Sequence, residues 1–227
     1  MVHSSLRALG VVPGGAESVI AGLLDVMGDN GTLLMPALSY EHVTPKNPHF
    51  DVNKTPSNVG KLPEVFRLLP GTHRSVHPTH SVCAVGSLAS HLLEHHIKDT
   101  TPCGSNSPFH LLPEYNGQIL MLGCGLEPNT SMHAIEELME PPYLYDPPFD
   151  YHITLADGTN ITKTYKPHNF RGWEQRYERV EQVMAEPGLR HGHVLTAECY
   201  LLEAKSLWDS ALNVMRPNPL FFVSTAK

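Results

Sequence analysis

By spacing, the histidine at position 133 is the residue of this chain best placed to move a proton. Glu136 and Glu137 follow it at i+3 and i+4, the separations that share one face of a helix. Gly123 and Gly125 allow a sharp turn just upstream, and Thr130 or Ser131 can cap a helix whose first turn holds His133. Two fields then act on the imidazole with opposite sign. The positive helix end disfavours imidazolium, and a carboxylate one turn on favours it. An imidazole so balanced rests neutral and accepts a proton during reaction, which is what a general base needs. A capped surface helix with an incidental histidine has the same local pattern. Gly123-Cys124-Gly125 is not a dinucleotide fingerprint, because Pro128 stands where the third glycine belongs.

Three further groups invite chemistry. Arg74 to Ser81 packs a cation, the hydroxyls of Ser75, Thr79 and Ser81, and two histidines around Pro78, which pushes His77 into an extended conformation. Such a segment can hold a phosphate or a carbonyl, or can be a polar loop entering a strand. His91-Leu92-Leu93-Glu94-His95 fits the H-x-x-E-H pattern of inverted zinc peptidases. A catalytic zinc also needs a third protein ligand, and a solvated helical face with Leu92 and Leu93 turned inward explains the same letters. Tyr40, Glu41 and Asp51, with Glu140, Tyr143, Tyr145, Asp146, Phe149 and Asp150, could line a cleft for a polycationic sugar or form solvated loops.

The elements that must position these groups follow from periodicity. Val19, Ile20, Leu23, Leu24 and Met27 recur at helical spacing between Gly14-Gly15 and a capping Gly28. Gly31 to Pro36, Val82 to Val85 and Gln118 to Leu122 read as buried strands, and helices are expected at roughly 61–69, 87–96, 172–186 and 203–214. Asp157-Gly158 marks a hairpin between Ile153–Leu155 and Ile161–Tyr165, and a last strand is expected at 220–223. Residues 37–60 lack periodicity and carry Pro45, Pro48 and Pro56, which reads as a functional loop. Alternating helices and strands with one hairpin predict a three-layer α/β domain with a mixed sheet, residues 1–227 forming a single domain.

Composition narrows the class. The chain has 227 residues, 41% hydrophobic and 17% charged, too apolar and too weakly charged for intrinsic disorder. The net charge of −7 argues against nucleic acid and mildly favours a cationic small-molecule partner. No run of apolar residues is long enough for a membrane span, and Met1 to Ser5 lack the pattern of a signal peptide. The four cysteines form no C-x-x-C pair, as expected of thiols in a reducing cytoplasm.

Several segments together resemble one family. Val2-His3-Ser4-Ser5-Leu6, Pro13 to Glu17, Gly31 to Pro36, Arg74-Ser75 with His77 to Ser81, Gly104 with Ser107-Pro108, Leu122 to Gly125, and Asn129 to Glu136 match in order and spacing the aminoglycoside N3-acetyltransferases and their YokD-like relatives. The resemblance implies this family's own mixed α/β fold, distinct from the GNAT fold. It also implies acetyl transfer from acetyl-CoA to the 3-amino group of a 2-deoxystreptamine aminoglycoside, hence antibiotic resistance, in a cytoplasmic monomer or homodimer. The family's catalytic histidine falls on His133, with Thr79 near the thioester. Relatives often carry an acidic partner for that histidine near Tyr165 to Phe170, where this chain has His168-Asn169, so Asn169 could orient the imidazole and Glu136 could supply the charge instead. Its coenzyme A contacts fall on Ser4, Ser5, Arg74, Ser75, Val76, His77, Thr79 and Ser81. Tyr40, Asp51 and Asn169 are the expected acceptor contacts. Members usually carry about 25 residues before the Val-His-Ser-Ser segment, which predicts a stability cost here. Two rival readings remain at this point: a zinc hydrolase built on His91, Glu94 and His95, and a non-catalytic coenzyme A-binding relative.

Overall fold

The computed structural model describes residues 1–226. In chain order the strands are β1 (Val2–Ser4), β2 (Thr32–Pro36), β3 (His49–Asp51), β4 (His73–Arg74), β5 (Val82–Gly86), β6 (Gln118–Leu122), β7 (Phe149–Thr154), β8 (Asn160–Tyr165), β9 (Trp173–Gln175), β10 (Leu189–Val194), β11 (Ala197–Glu203) and β12 (Val223–Thr225). The helices are α1 (Gly15–Met27), α2 (Lys61–Leu68), α3 (Ala89–Leu93), α4 (Pro108–Leu111), α5 (Ser131–Met139) and α6 (Ala204–Met215). The mixed strand arrangement expected from the sequence is present, distributed over four small sheets ordered β1-β6-β11-β10, β2-β5-β4, β3-β7-β8 and β12-β9.

The apolar run of β6 explains its central place. Ile119 and Met121 are fully buried, and both edges of the strand are paired. β1 runs parallel to it, with Val2 opposite Leu120 and Ser4 opposite Leu122. β11 runs antiparallel on the other edge, with Leu201 opposite Leu120. The chain then leaves β6 through Gly123, whose φ of +70° and a Cβ site 2.7 Å from Ala8 Cβ demand glycine. This turn delivers α5 into the interior, where Ser131 through Glu136 are all buried. Ile135, Ala134 and Met132 join Leu207, Ala211 and Met215 of α6 in the main core. A second core lies between α1, α2 and the strands β1 and β2, built on Ile20, Leu62, Phe66, Leu33 and Met35.

The fold departs from expectation at several places. The last strand runs Val223–Thr225 and not 220–223, the helix expected at 87–96 keeps only Ala89–Leu93, and β3 (His49–Asp51) crosses the stretch read as a loop. Residues 172–186 are not one helix: β9 pairs with β12, Trp173 opposite Thr225, and only a 3-10 turn at Tyr177–Gln182 follows. Tertiary pairing overrides a helix-prone composition there. The β10–β11 hairpin has no turn signal in the sequence, because Leu195 takes the left-handed conformation at its tip (φ +54°), where glycine or asparagine would have announced a turn. Thr130 makes no side-chain cap on α5; Asn129 Oδ1 accepts from Ser131 N at 3.2 Å instead.

Candidate active site

The i+3 spacing on α5 produces the contact it implies. His133 Nδ1 lies 3.0 Å from Glu136 Oε2, and Glu136 is wholly buried. Two phenols complete the carboxylate's shell: Tyr143 donates to Oε1 at 2.7 Å and Tyr177 to Oε2 at 2.6 Å. A buried carboxylate surrounded by donors needs the hydrogen of His133 on Nδ1. The Tyr177 hydroxyl also lies 2.8 Å from Nδ1, but its single hydrogen goes to the nearer Glu136 Oε2, so Nδ1 keeps its own hydrogen and the lone pair is on Nε2. Burial and the neighbouring carboxylate push the Tyr177 hydroxyl well above its ordinary range, so it remains a donor.

The adjacent carboxylate serves a different ring. Glu137 accepts from His168 Nε2 at 2.7 Å, from Thr101 Oγ1 at 2.6 Å and from Cys103 N at 2.7 Å. Burial raises its carboxyl above the usual range, and the hydrogen bonds from Thr101 and Cys103 oppose the rise. His80, with Nδ1 2.9 Å from Thr79 Oγ1, closes a triangle of imidazoles. Ring centres are 6.0 Å apart for His80 and His133, 5.1 Å for His80 and His168, and 5.0 Å for His133 and His168. Burial holds His80 and His168 well below the ordinary histidine range, helped by the neighbouring rings.

The triangle borders two hollows, and a further one adjoins the larger of them. The largest, about 480 Å³, is lined by His80, His133, His168 and Tyr177, with Tyr40 and Glu127. A narrower one of about 130 Å³ shares Val59, Pro128 and Thr130 with it and reaches His3, Ser4 and Cys124. A third shares Tyr40, His80 and His168 and adds Thr79 and Asp146. One imidazole with a free lone pair thus faces a cavity that adjoins a slot toward β1 and, on the side of Tyr40 and His168, a smaller hollow beside acidic and aromatic loops.

A family profile described as aminoglycoside 3-N-acetyltransferase matches residues 1–216. The chain belongs to that family. It is 30% identical over 237 residues to the SPbeta prophage-derived aminoglycoside N(3')-acetyltransferase-like protein YokD of Bacillus subtilis, covering 93% of this chain and 83% of that one. The crystal structure of YokD superposes with a TM-score of 0.82 over 97% of this chain and 87% of that one. AAC-IIIb in binary complex with CoASH superposes at 0.81 with 25% identity, over 96% and 89% of the two chains. A histidine-to-alanine variant of AAC(3)-IVa in complex with a gentamicin superposes at 0.78 with 27% identity, over 97% and 82%.

Against the family pattern, the sequence-derived site residues fall into two sets. His133, Glu136 and Tyr40 meet at the large cavity or directly behind it, Thr79 at the third hollow, and Ser4 at the slot, where its buried Oγ has no partner. Ser5 leads into a 3-10 turn beside the β6 turn, its N–H donating to Leu122 O at 2.9 Å. The rest do not line the large cavity, and Arg74 lines a separate hollow with Arg67 and His73. Arg74 spends its N–H donors internally, on Ser81 Oγ, Ser39 Oγ and the carbonyls of Val52, Thr55 and Ala37. Burial lowers its guanidinium to about 10, the cost of enclosing a charge among loops. Ser81 donates to Ala37 O, and Ser75 bonds His96 Nδ1 and accepts from Val82 N. His77 accepts from the backbone of Thr79 and His80, and Val76 packs with Tyr151 and Tyr165. The Arg74 to Ser81 segment is therefore a knitted wall whose Thr79-His80 end alone reaches the cavity.

Asp51 lies in a separate shallow hollow with His49 and His152, accepting from the N–H groups of Asn53 and Lys54. Asn169 turns its Oδ1 to Arg171 N at 2.8 Å and does not contact His133. His91, Glu94 and His95 are each about half exposed, with His91 bonded to Tyr115 and His95 near Glu94. Among the described residues they gather no third ligand, whereas His80, His133 and His168 do come together. Sequence reasoning missed His168 and Tyr177 as site residues. A tyrosine 44 positions from His133 carries no local signal, and nothing in the spacing around His168 distinguishes it from its neighbour Asn169.

Proposed function

We propose that the chain transfers the acetyl group of acetyl-CoA to an amino group of a cationic sugar, the 3-amino group of a 2-deoxystreptamine aminoglycoside being the acceptor the family implies, with antibiotic resistance as the outcome. The supporting observation is His133 itself: Nδ1–H held by a buried carboxylate, Nε2 free at a cavity with an acidic and aromatic wall.

The neutral acceptor amine attacks the thioester carbonyl and its proton passes to His133 Nε2, directly or through water. Glu136 stabilises the imidazolium that forms, and Tyr177 and Tyr143 hold that carboxylate in place. When the tetrahedral intermediate collapses, the C–S bond breaks and the imidazolium returns the proton to the leaving thiolate, giving free coenzyme A. Thr79 Oγ1 faces His80 Nδ1, so a hydroxyl donating there leaves His80 with an Nε2–H for the oxyanion. The slot past Cys124 to the partnerless Ser4 Oγ suits the thioester arm of acetyl-CoA. Glu127, on the large cavity, and Asp146, on the adjoining third hollow, are the carboxylates we assign to the acceptor's other ammonium groups.

Among the described residues no helix is long and apolar enough to cross a membrane. We place the reaction in the cytoplasm, in one domain acting as a monomer or homodimer. The test is release of free thiol from acetyl-CoA with an aminoglycoside panel, wild type against His133→Ala. The variant is expected to lose ~10²–10⁴-fold in turnover while binding acetyl-CoA unchanged. Near wild-type turnover in a folded variant removes His133 from the role of base.

A further inference from the structure

We propose that His80, His133 and His168 form a binding site for a divalent transition-metal ion of the zinc class. One ring nitrogen from each lies within 4.8 Å of the others. Three imidazoles around a tetrahedral zinc, with each nitrogen about 2.0–2.1 Å from the metal, put their ring centres roughly 5 Å apart. The observed ring separations are 5.0, 5.1 and 6.0 Å, and the nitrogens, within 4.8 Å of one another, draw in to the roughly 3.4 Å of a tetrahedral site when the metal binds. The rings also stand at 68° to 79° to one another, which lets three edges converge without stacking.

The surroundings carry the argument further than the distances. A metal-bound histidine characteristically has its second nitrogen hydrogen-bonded, most often to a carboxylate. His133 Nδ1 is held by Glu136 and His168 Nε2 by Glu137, while His80 Nδ1 faces the Thr79 hydroxyl. Each ring thus keeps one nitrogen without a hydrogen bond: His133 Nε2, His80 Nε2 and His168 Nδ1. The last is buried with no partner of any kind. Two carboxylates in contact with the rings balance the charge of a dication. His80 binds as the tautomer with hydrogen on Nδ1, the Thr79 hydroxyl then accepting, so no net proton is lost. Three nitrogen ligands exclude calcium and magnesium as the preferred ion and suit zinc, cobalt or nickel. The fourth position opens into the 480 Å³ cavity.

One consequence rests on the reading of His133 as base. Its Nε2 cannot hold a metal and receive a proton together, so metal binding and acetyl transfer exclude each other. The experiment separates the two claims. Protein stripped with a chelator is titrated with CoCl₂, then with ZnCl₂, in a His91→Ala/His191→Ala background that removes loose surface binding. One cobalt per chain with the intense visible absorption of a tetrahedral site, displaced by zinc, is the expected result. His80→Asn and His168→Asn, each verified as folded by circular dichroism, should abolish that absorption and weaken zinc binding at least ~100-fold; Glu137→Gln should weaken it ~10–100-fold. A rise in melting temperature with zinc, confined to the parent, gives a second readout. Absence of the tetrahedral spectrum in the parent, or its survival in either histidine variant, overturns the site. Turnover falling in step with occupancy and returning with chelator supports both claims. Occupancy without loss of turnover leaves the metal site standing and removes His133 from the role of base.

Discussion

Replacing Glu136 by glutamine tests how the base is held. The carboxylate takes Tyr143 on Oε1, and Tyr177 and His133 on Oε2. A glutamine has one oxygen for those three donors, and it can be placed in two ways. With its oxygen toward His133, the imidazole keeps hydrogen on Nδ1 and the lone pair on Nε2, and only the counter-charge to imidazolium is lost. A hydrogen bond to a charged group contributes about 1.5–3 kcal/mol and a neutral one about 0.5–1.5, so turnover falls by roughly 10-fold. With its amide nitrogen toward His133, Nδ1 becomes an acceptor, Nε2 carries the hydrogen, and the base is lost; the same tautomer error in a serine protease triad costs ~10⁴-fold. The first placement disturbs only the Tyr143 hydroxyl, while the second disturbs Tyr177 and the imidazole together. We therefore expect turnover to fall about 10–100-fold, with acetyl-CoA affinity unchanged. The assay is thiol release at saturating substrates, with calorimetry for the cofactor. The double variant with His133→Ala should be no slower than His133→Ala alone, because the two residues act as a unit. A folded Glu136→Gln enzyme within twofold of wild type refutes the stabilising role. A loss beyond about 10³-fold refutes the placement.

Other outcomes follow from the buried polar network. Arg74→Ala strips five hydrogen bonds from the wall and should lower unfolding free energy by about 3–5 kcal/mol in urea melts; a folded variant of unchanged stability but weakened acetyl-CoA binding would restore Arg74 as a phosphate contact. His77 and His96 stack at 5.1 Å in the interior, and burial keeps both neutral, with His96 lowered to about 4. Their folded-state values lie below the unfolded one, so the unfolded chain binds more protons below about pH 6.5 and stability drains away as pH falls toward the folded values. At pH 5.5 each such ring should cost about 1.4 kcal/mol relative to pH 7.5, and His3, His80 and His168 are held down by burial in the same way, so the loss measured by urea denaturation at both values should exceed about 3 kcal/mol; equal stability at the two values would mean that these rings are solvated or already charged.

Much of the site's scaffold was legible because it is local. The apolar run of β6, the glycine turn and the i+3 spacing of His133 and Glu136 lie within 20 residues, and each has a periodicity or a φ requirement to announce it. The same is true of α1, which runs between Gly14 and Gly28 as its spacing predicts. What failed to show depends on distant partners. Tyr177 reaches Glu136 across 41 positions, and β9 is a strand only because β12 pairs with it. Arg74 looked free because a sequence does not show which carbonyls will surround a guanidinium. The burial of His80 and His168 was equally invisible, since it arises where α5, the 79–80 turn and the segment after β8 meet.

The two consecutive glutamates of α5 also bear on how such a chain can change over generations. Neighbouring residues on a helix point about 100° apart, so Glu136 and Glu137 reach two different imidazoles only in one rotational setting. Losing or gaining a single residue between His133 and Glu136 would disconnect both at once, and no single later substitution could repair the pair. Tyr40, Glu127 and Asp146 take no part in those bonds, so substitutions among them can redraw the acceptor wall one step at a time. Descendants of this sequence can explore new acceptor amines while inheriting the proton-handling helix unaltered.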